Sequence, residues 1–220
     1  KKYDLIMDEE ISIINEKTRN EKIKIFFLDN KRSIILSITF LAILVLSFYS
    51  YQIYNDNSRK NLSEKYNLAI IDYNNGDKLS VTESMKDIVN DKDSTYSPLA
   101  LYFLIDNNLI ENKNEINDLF DVLITKTSLA SEIKNLVIYK KALFNANTIN
   151  ENDLLNILKP LINSNSVWKS HATYLIAEYF FSKNEKQKSK EFFLKILDIE
   201  NANQDIVKEA QKRLNRDLSE

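Results

Sequence analysis

Cysteine is absent from the 220 residues, histidine and glycine occur once each, and proline occurs twice. Each scarcity removes a class of structure or chemistry. Without cysteine there is no disulfide, no thiolate nucleophile and no cysteine-based zinc site. The lone histidine, His171, cannot build a multi-histidine metal centre, and no HExxH pattern occurs. It reads as an ordinary helix residue. Gly76 alone cannot supply the glycine-rich loop that cradles a phosphate. All-β folds need many tight turns, which glycine and proline provide. So small a supply points to helices joined by short polar loops, with asparagine at the cap positions where glycine usually sits.

Charge is equally uninformative about chemistry. The net charge of −2 gives no global field to draw the chain to nucleic acid. The basic run Lys183 to Lys190 is interrupted by Glu185 and reads as a loop and exposed helix start. Carboxylate pairs at helical spacing, such as Asp118 and Asp121, read as solvated faces and not as a general acid/base pair. The composition, 44% apolar and 28% charged, is that of a folded chain and not a disordered one. No cofactor, metal, nucleic-acid or small-molecule site is therefore expected. Position 1 is lysine, not an initiator methionine, so a short stretch is expected ahead of it.

What the chain does have is one long uncharged run, Ser33 to Asn55. At about 1.5 Å per residue such a helix crosses a hydrocarbon core of about 30 Å. Tyr49, Tyr51 and Tyr54 gather at one end, where amphipathic rings favour the headgroup zone. A cleaved signal peptide fits poorly: the run is too long, starts too late and has no small-x-small site. Lys17, Arg19, Lys22, Lys24, Lys31 and Arg32 precede the run, against Arg59, Lys60 and Lys65 after it. The excess predicts a cytoplasmic N-terminus and a large domain across the membrane. Residues 1–32 read as an amphipathic helical tail carrying Leu5, Ile6, Ile13, Ile14, Phe26 and Phe27. Two roles stay open for it: an interfacial or partner-docking helix, or a polar tail that only sets topology.

Residues 56–220 carry an internal period. One template recurs, a small or apolar residue followed by apolar positions 12, 16 and 19 residues later. Ala69 leads Val81, Met85 and Ile88; Leu104 leads Ile116, Phe120 and Leu123; Ala142 leads Leu154, Leu158 and Leu161; Ala177 leads Ser189, Phe193 and Ile196. The leading residues stand 35, 38 and 35 apart. Each unit reads as two helices, the second turning an i, i+4, i+7 stripe onto the first. Turns fall at 74–77, 112–114, 147–150 and 183–184. Ser97-Pro98 reads as an N-cap and first helical residue, while Pro160 must kink or stop its helix near Lys159. Segment 203–217, with Ile206, Ala210 and Leu214 on one stripe, reads as a polar-faced cap. Phe120, Leu158 and Phe193 are expected between the helices of their own units. The expected class is all-α: an N-terminal helix, one transmembrane helix, then an α-solenoid of tetratricopeptide-like hairpins with a capping helix. A generic array of helical hairpins remains the alternative.

In order, the chain offers Asp8-Glu9-Glu10, a charged helix, the basic step Lys31-Arg32, a span ending in YSYQIY, and Asn163 to Phe181 with Trp168 ahead of an alanine-containing helix. This layout resembles the bacterial ancillary SecYEG translocon subunits, the YfgM-type tetratricopeptide proteins. The resemblance implies an inner-membrane protein with a periplasmic repeat domain, associated with the Sec translocon, periplasmic chaperones or exported clients. It implies a non-enzymatic interaction module. The alternatives are a passive tether or scaffold of another envelope complex, and an enzyme with an unrecognised site. It further implies a concave groove along the first helices, lined by Tyr66, Leu101, Tyr139 and Tyr174, with Tyr73 and Phe181 one turn on. The competing reading of these side chains is that they close gaps between neighbouring units.

Overall fold

The structure, a computed structural model, describes residues 21, 22 and 24–218. Among them all regular structure is helical, with no strand. The helices are α1 (Lys31–Asn74), α2 (Lys78–Asn90), α3 (Tyr96–Asp106), α4 (Lys113–Asp121) continued by a π-helical turn (Val122–Lys126), α5 (Ser131–Asn145), α6 (Glu151–Ile162), α7 (Lys169–Ser182), α8 (Lys186–Leu197) and α9 (Gln204–Asp217). Two compact units divide the chain, one ending at Ser58 and one beginning at Arg59.

In the first unit, the apolar part of α1 buries nothing within the chain. It is the one helix among the described residues long and apolar enough to cross a membrane. Residues 24–29 are also helical, with Phe26 and Phe27 exposed. The tail positions Leu5, Ile6, Ile13 and Ile14 lie outside the described residues.

In the second unit, successive helices pair. The end of α1 leads into α2; α3 pairs with α4, α5 with α6 and α7 with α8, and α9 follows as a last single helix. Each also packs on its neighbour along the chain, and α5 reaches α7 as α7 reaches α9. All four positions of the template are buried in all four hairpins. The one polar member, Ser189, fits because its hydroxyl donates to the carbonyl of Ala177, its own leading residue, at 2.9 Å. The buried side chains form three cores, around Phe120, Leu158 and Phe193. Ala210 and Leu214 of α9 close the third.

The turns follow their residue chemistry. Gly76 sits at φ +94°, which only glycine adopts without strain, and Asn108 and Asn184 adopt φ of 50° and 62° at helix ends. Asn112, Asn150 and Asn203 each cap the following helix through their side chains. The wider spacing of 38 arises between Leu123 and Ala142, where the π-helical turn and the loop after it add three residues.

Two local expectations need correction. Ser97 does not cap α3. Asp93 does that work, its Oδ1 accepting from Thr95 N at 2.8 Å and Tyr96 N at 2.7 Å. Ser97 is buried inside the first turn, and its hydroxyl donates to Ile88 O at 2.6 Å, tying α3 to α2. Pro160 does not stop α6 at Lys159, since the helix runs to Ile162. So near the C-terminal end a proline forfeits a single backbone bond. Burial of Leu161 and the bond from Asn163 N to Lys159 O at 3.2 Å hold the final turn.

Candidate protein-binding surface

The template fixes where the aromatic side chains point. A residue three before the leading position, and one four after it, lie on the same side of the first helix as each other, since the pair is seven apart. Tyr66 and Tyr73 occupy these places on α1, Tyr139 on α5, and Tyr174 and Phe181 on α7, and all five are half-buried. Leu101 holds the equivalent place on α3 but is 0% exposed within the first core, so it offers no surface to a ligand.

Most of these rings reach forward to the next first helix. Tyr73 meets Phe103 of α3 edge-on, with centroids 5.2 Å apart, and Tyr66 meets Phe103 and Tyr96 at 6.5 and 5.8 Å. Tyr139 stacks on Trp168 at 5.8 Å and meets His171 of α7 edge-on at 5.9 Å. Phe181 lies under the Arg213 guanidinium of α9 at 4.3 Å. Tyr174 packs on Phe193 of its own hairpin at 5.4 Å. Four of the five rings therefore join one hairpin to the next, Tyr174 packs within its own, and all five stay partly exposed. The structure gathers them into three separate groups, one per core, and not into one unbroken column.

Sequence reasoning gave their partners no such role. Phe103, Trp168 and Arg213 complete each joint, and none occupies a template position. Arg213 is the most engaged cation. It donates to both oxygens of Glu178 at 2.6 Å and also holds Asp217. Those carboxylates push its pKa up, and Arg216, with Arg213 second, lowers Asp217 to about 2. Burial, with the nearby Glu178, pushes the Tyr174 hydroxyl up as well. A second feature that the sequence did not signal is a cleft of about 540 Å³ between the ends of α6 and α8 and the start of α7. Ile162, Ser166, Lys169, Thr173, Phe192 and Lys195 contribute to its lining. Ser166 within it is engaged, donating to Glu132 at 2.7 Å.

Several of the residues considered for chemistry are engaged in ion pairs or ring contacts. Asp121 pairs with Lys141 of the next hairpin at 2.7 Å, and Lys188 of the basic run pairs with Glu151 and Glu185 at 2.9 and 2.8 Å. Among the described residues no three His, Asp or Glu side chains gather as metal ligands. His171 sits against Trp168 and Tyr139, and its Nδ1 is buried with no hydrogen bond of full geometry. Burial holds its imidazole below the ordinary range, partly offset by the Val167 backbone one turn earlier. The unfolded chain, with the ordinary value near 6.5, thus takes up a proton before the folded chain does. The stability this contributes is complete above about pH 6.5 and is lost as pH falls towards the lower folded value. Melting of the full chain at pH 7.5 and 5.5 is expected to show a smaller acid loss in His171→Gln than in the unaltered protein; equal losses would remove His171 as the cause.

Comparison of the chain with protein-family models, with curated proteins and with solved structures finds no match.

Proposed function

We propose that the chain is a non-enzymatic, membrane-anchored protein-interaction module. In this reading α1 spans the inner membrane of a bacterium. The tail before it is cytoplasmic, and the hairpins form a periplasmic tetratricopeptide-like array that offers its first-helix face to other proteins. The observation that carries it is the four-fold template, buried at every position in every hairpin. A repeated hairpin that spends all its apolar positions on its neighbours builds an extended surface and not a single enclosed active site. The Lys/Arg excess ahead of the apolar run supports the orientation. The likeness of the layout to the ancillary Sec translocon subunits points to the translocon, its exported clients or periplasmic chaperones as partners.

Reporter fusions after Leu218 and co-purification in mild detergent test both parts. A reporter active only outside the cytoplasm, with translocon subunits recovered stoichiometrically, is the expected result. A reporter active in the cytoplasm overturns the topology. Recovery of the chain alone leaves a passive tether.

A further inference from the structure

Between two successive first helices lies a socket that is separate from the tyrosines. Tyr102, Ile105 and Asp106 stand at i, i+3 and i+4 on α3, and Lys140, Leu143 and Phe144 repeat that spacing 38 residues later on α5. With Phe120 of α4 they line a pocket of about 170 Å³. That is well below the ~300–1,000 Å³ of sites for whole small-molecule ligands, and it suits a single side chain.

The walls are apolar, formed by Ile105, Phe120, Leu143 and Phe144. Two groups at the α3–α5 joint, Lys140 and Tyr102, have protons to donate, and the Asp106 carboxylate stands exposed at the rim. Lys140 Nζ rests 4.8 Å over the Tyr102 ring and makes no ion pair among the described residues. The Tyr102 hydroxyl is buried without a hydrogen-bond partner, and burial pushes it up to about 12, so it keeps its proton. An unpaired ammonium beside apolar walls is complementary to an anion carried on a short apolar arm. At the next joint an apolar residue, Leu175, stands in the place of Lys140. There the matching positions on α7 are Leu175, Glu178 and Tyr179, and Glu178 is already held by Arg213.

We propose that this socket receives the side chain of a glutamate from an extended peptide, with its methylenes on Leu143 and Phe144 and its carboxylate accepting from Lys140. Asp106, exposed at the rim, is an acceptor; it suits a backbone N–H of the bound chain and disfavours a second acidic residue beside the first. The proposal rests on the protein-interaction reading and narrows it to a ligand chemistry.

The test uses the full chain in lipid nanodiscs and fluorescein-labelled, C-terminally amidated peptides Ser-Ala-Leu-Xaa-Leu-Ala-Ser, with Xaa glutamate, glutamine or leucine. Fluorescence anisotropy should give at least tenfold tighter binding for glutamate than for glutamine. Lys140→Met should abolish that preference, Lys140→Arg should keep it, and Lys134→Met should leave it unchanged, with circular dichroism confirming that each variant is folded. Equal binding of the three peptides overturns the socket while leaving the interaction reading intact, as does a preference that survives Lys140→Met. Binding of none also overturns the socket, and the interaction reading is then decided separately by crosslinking to partners.

Discussion

Phe193→Ala is expected to destabilise the helical domain by about 3–5 kcal/mol, the range for emptying a fully buried phenylalanine site. Phe193 is 0% exposed and contributes to the core that α7, α8 and α9 share, with Ala177, Ile196, Ala210 and Leu214 around it and Tyr174 edge-on at 5.4 Å. Two of those neighbours are alanines with no side chain long enough to fill the space. Phe120→Ala should behave alike, since Phe120 is also 0% exposed and meets Phe144 of the next hairpin at 6.1 Å. For a domain of this size each kcal/mol shifts the melting temperature by roughly 2–4 °C. A fall of the order of 10 °C is therefore expected in thermal melts of the full chain. Leu194→Ala, at a site 46% exposed, should stay within about 1 kcal/mol. A loss below about 1 kcal/mol at Phe193 would mean that the repeat register is misassigned.

The triple variant Tyr66→Ala, Tyr139→Ala, Tyr174→Ala should be the more damaging. Each ring is half-buried and belongs to a different core, so the three losses should add. At roughly 1–2 kcal/mol for each partly buried ring, the sum is about 3–6 kcal/mol. The corresponding triple Tyr→Phe variant keeps the rings on Phe103, Trp168 and Phe193 and should melt close to the unaltered protein. Equal losses in the two variants would shift the explanation from ring packing to the hydroxyls. This contrast matters for function, because partner binding has to be measured in a variant that remains folded.

The apolar skeleton was legible in the sequence because it repeats. A spacing of 12, 16 and 19 after a leading residue is a helical-hairpin signature, and burial of Ser189 with the rest shows that position outweighed residue type. The turns were legible where glycine or asparagine was needed for φ > 0, as at Gly76 and Asn184. The joints between hairpins were legible only in their rings, which the sequence already offered as closing gaps between units. Their polar pairs, from 20 to 37 residues apart, were not: the reciprocal amides of Asn117 and Asn145, at 3.0 and 2.7 Å, Lys141 with Asp121, and Lys188 with Glu151. Lysine, aspartate and asparagine occur throughout the exposed faces, so a sequence gives no reason to choose one pair above another. The same holds for Arg213, whose role depends on α9 lying across Glu178 and Phe181. Leu101 was assigned to the groove by register alone, and the α3 environment encloses it, which register does not report. The π-helical turn at Val122–Lys126 has no sequence mark either, though the 38-residue interval was its trace.

The central claim is that the first-helix face of a membrane-anchored array contacts other proteins. Site-specific photo-crosslinking in living cells tests it most directly. A photoreactive phenylalanine analogue at Tyr66, Tyr139 or Tyr174 replaces one ring by another, so the joints are retained. The control positions are Glu191 on α8 and Asp205 on α9, both exposed. Discrete protein adducts from the three tyrosine positions, with none from the controls, is the predicted result. Adducts from the controls alone, or from no position, would contradict it.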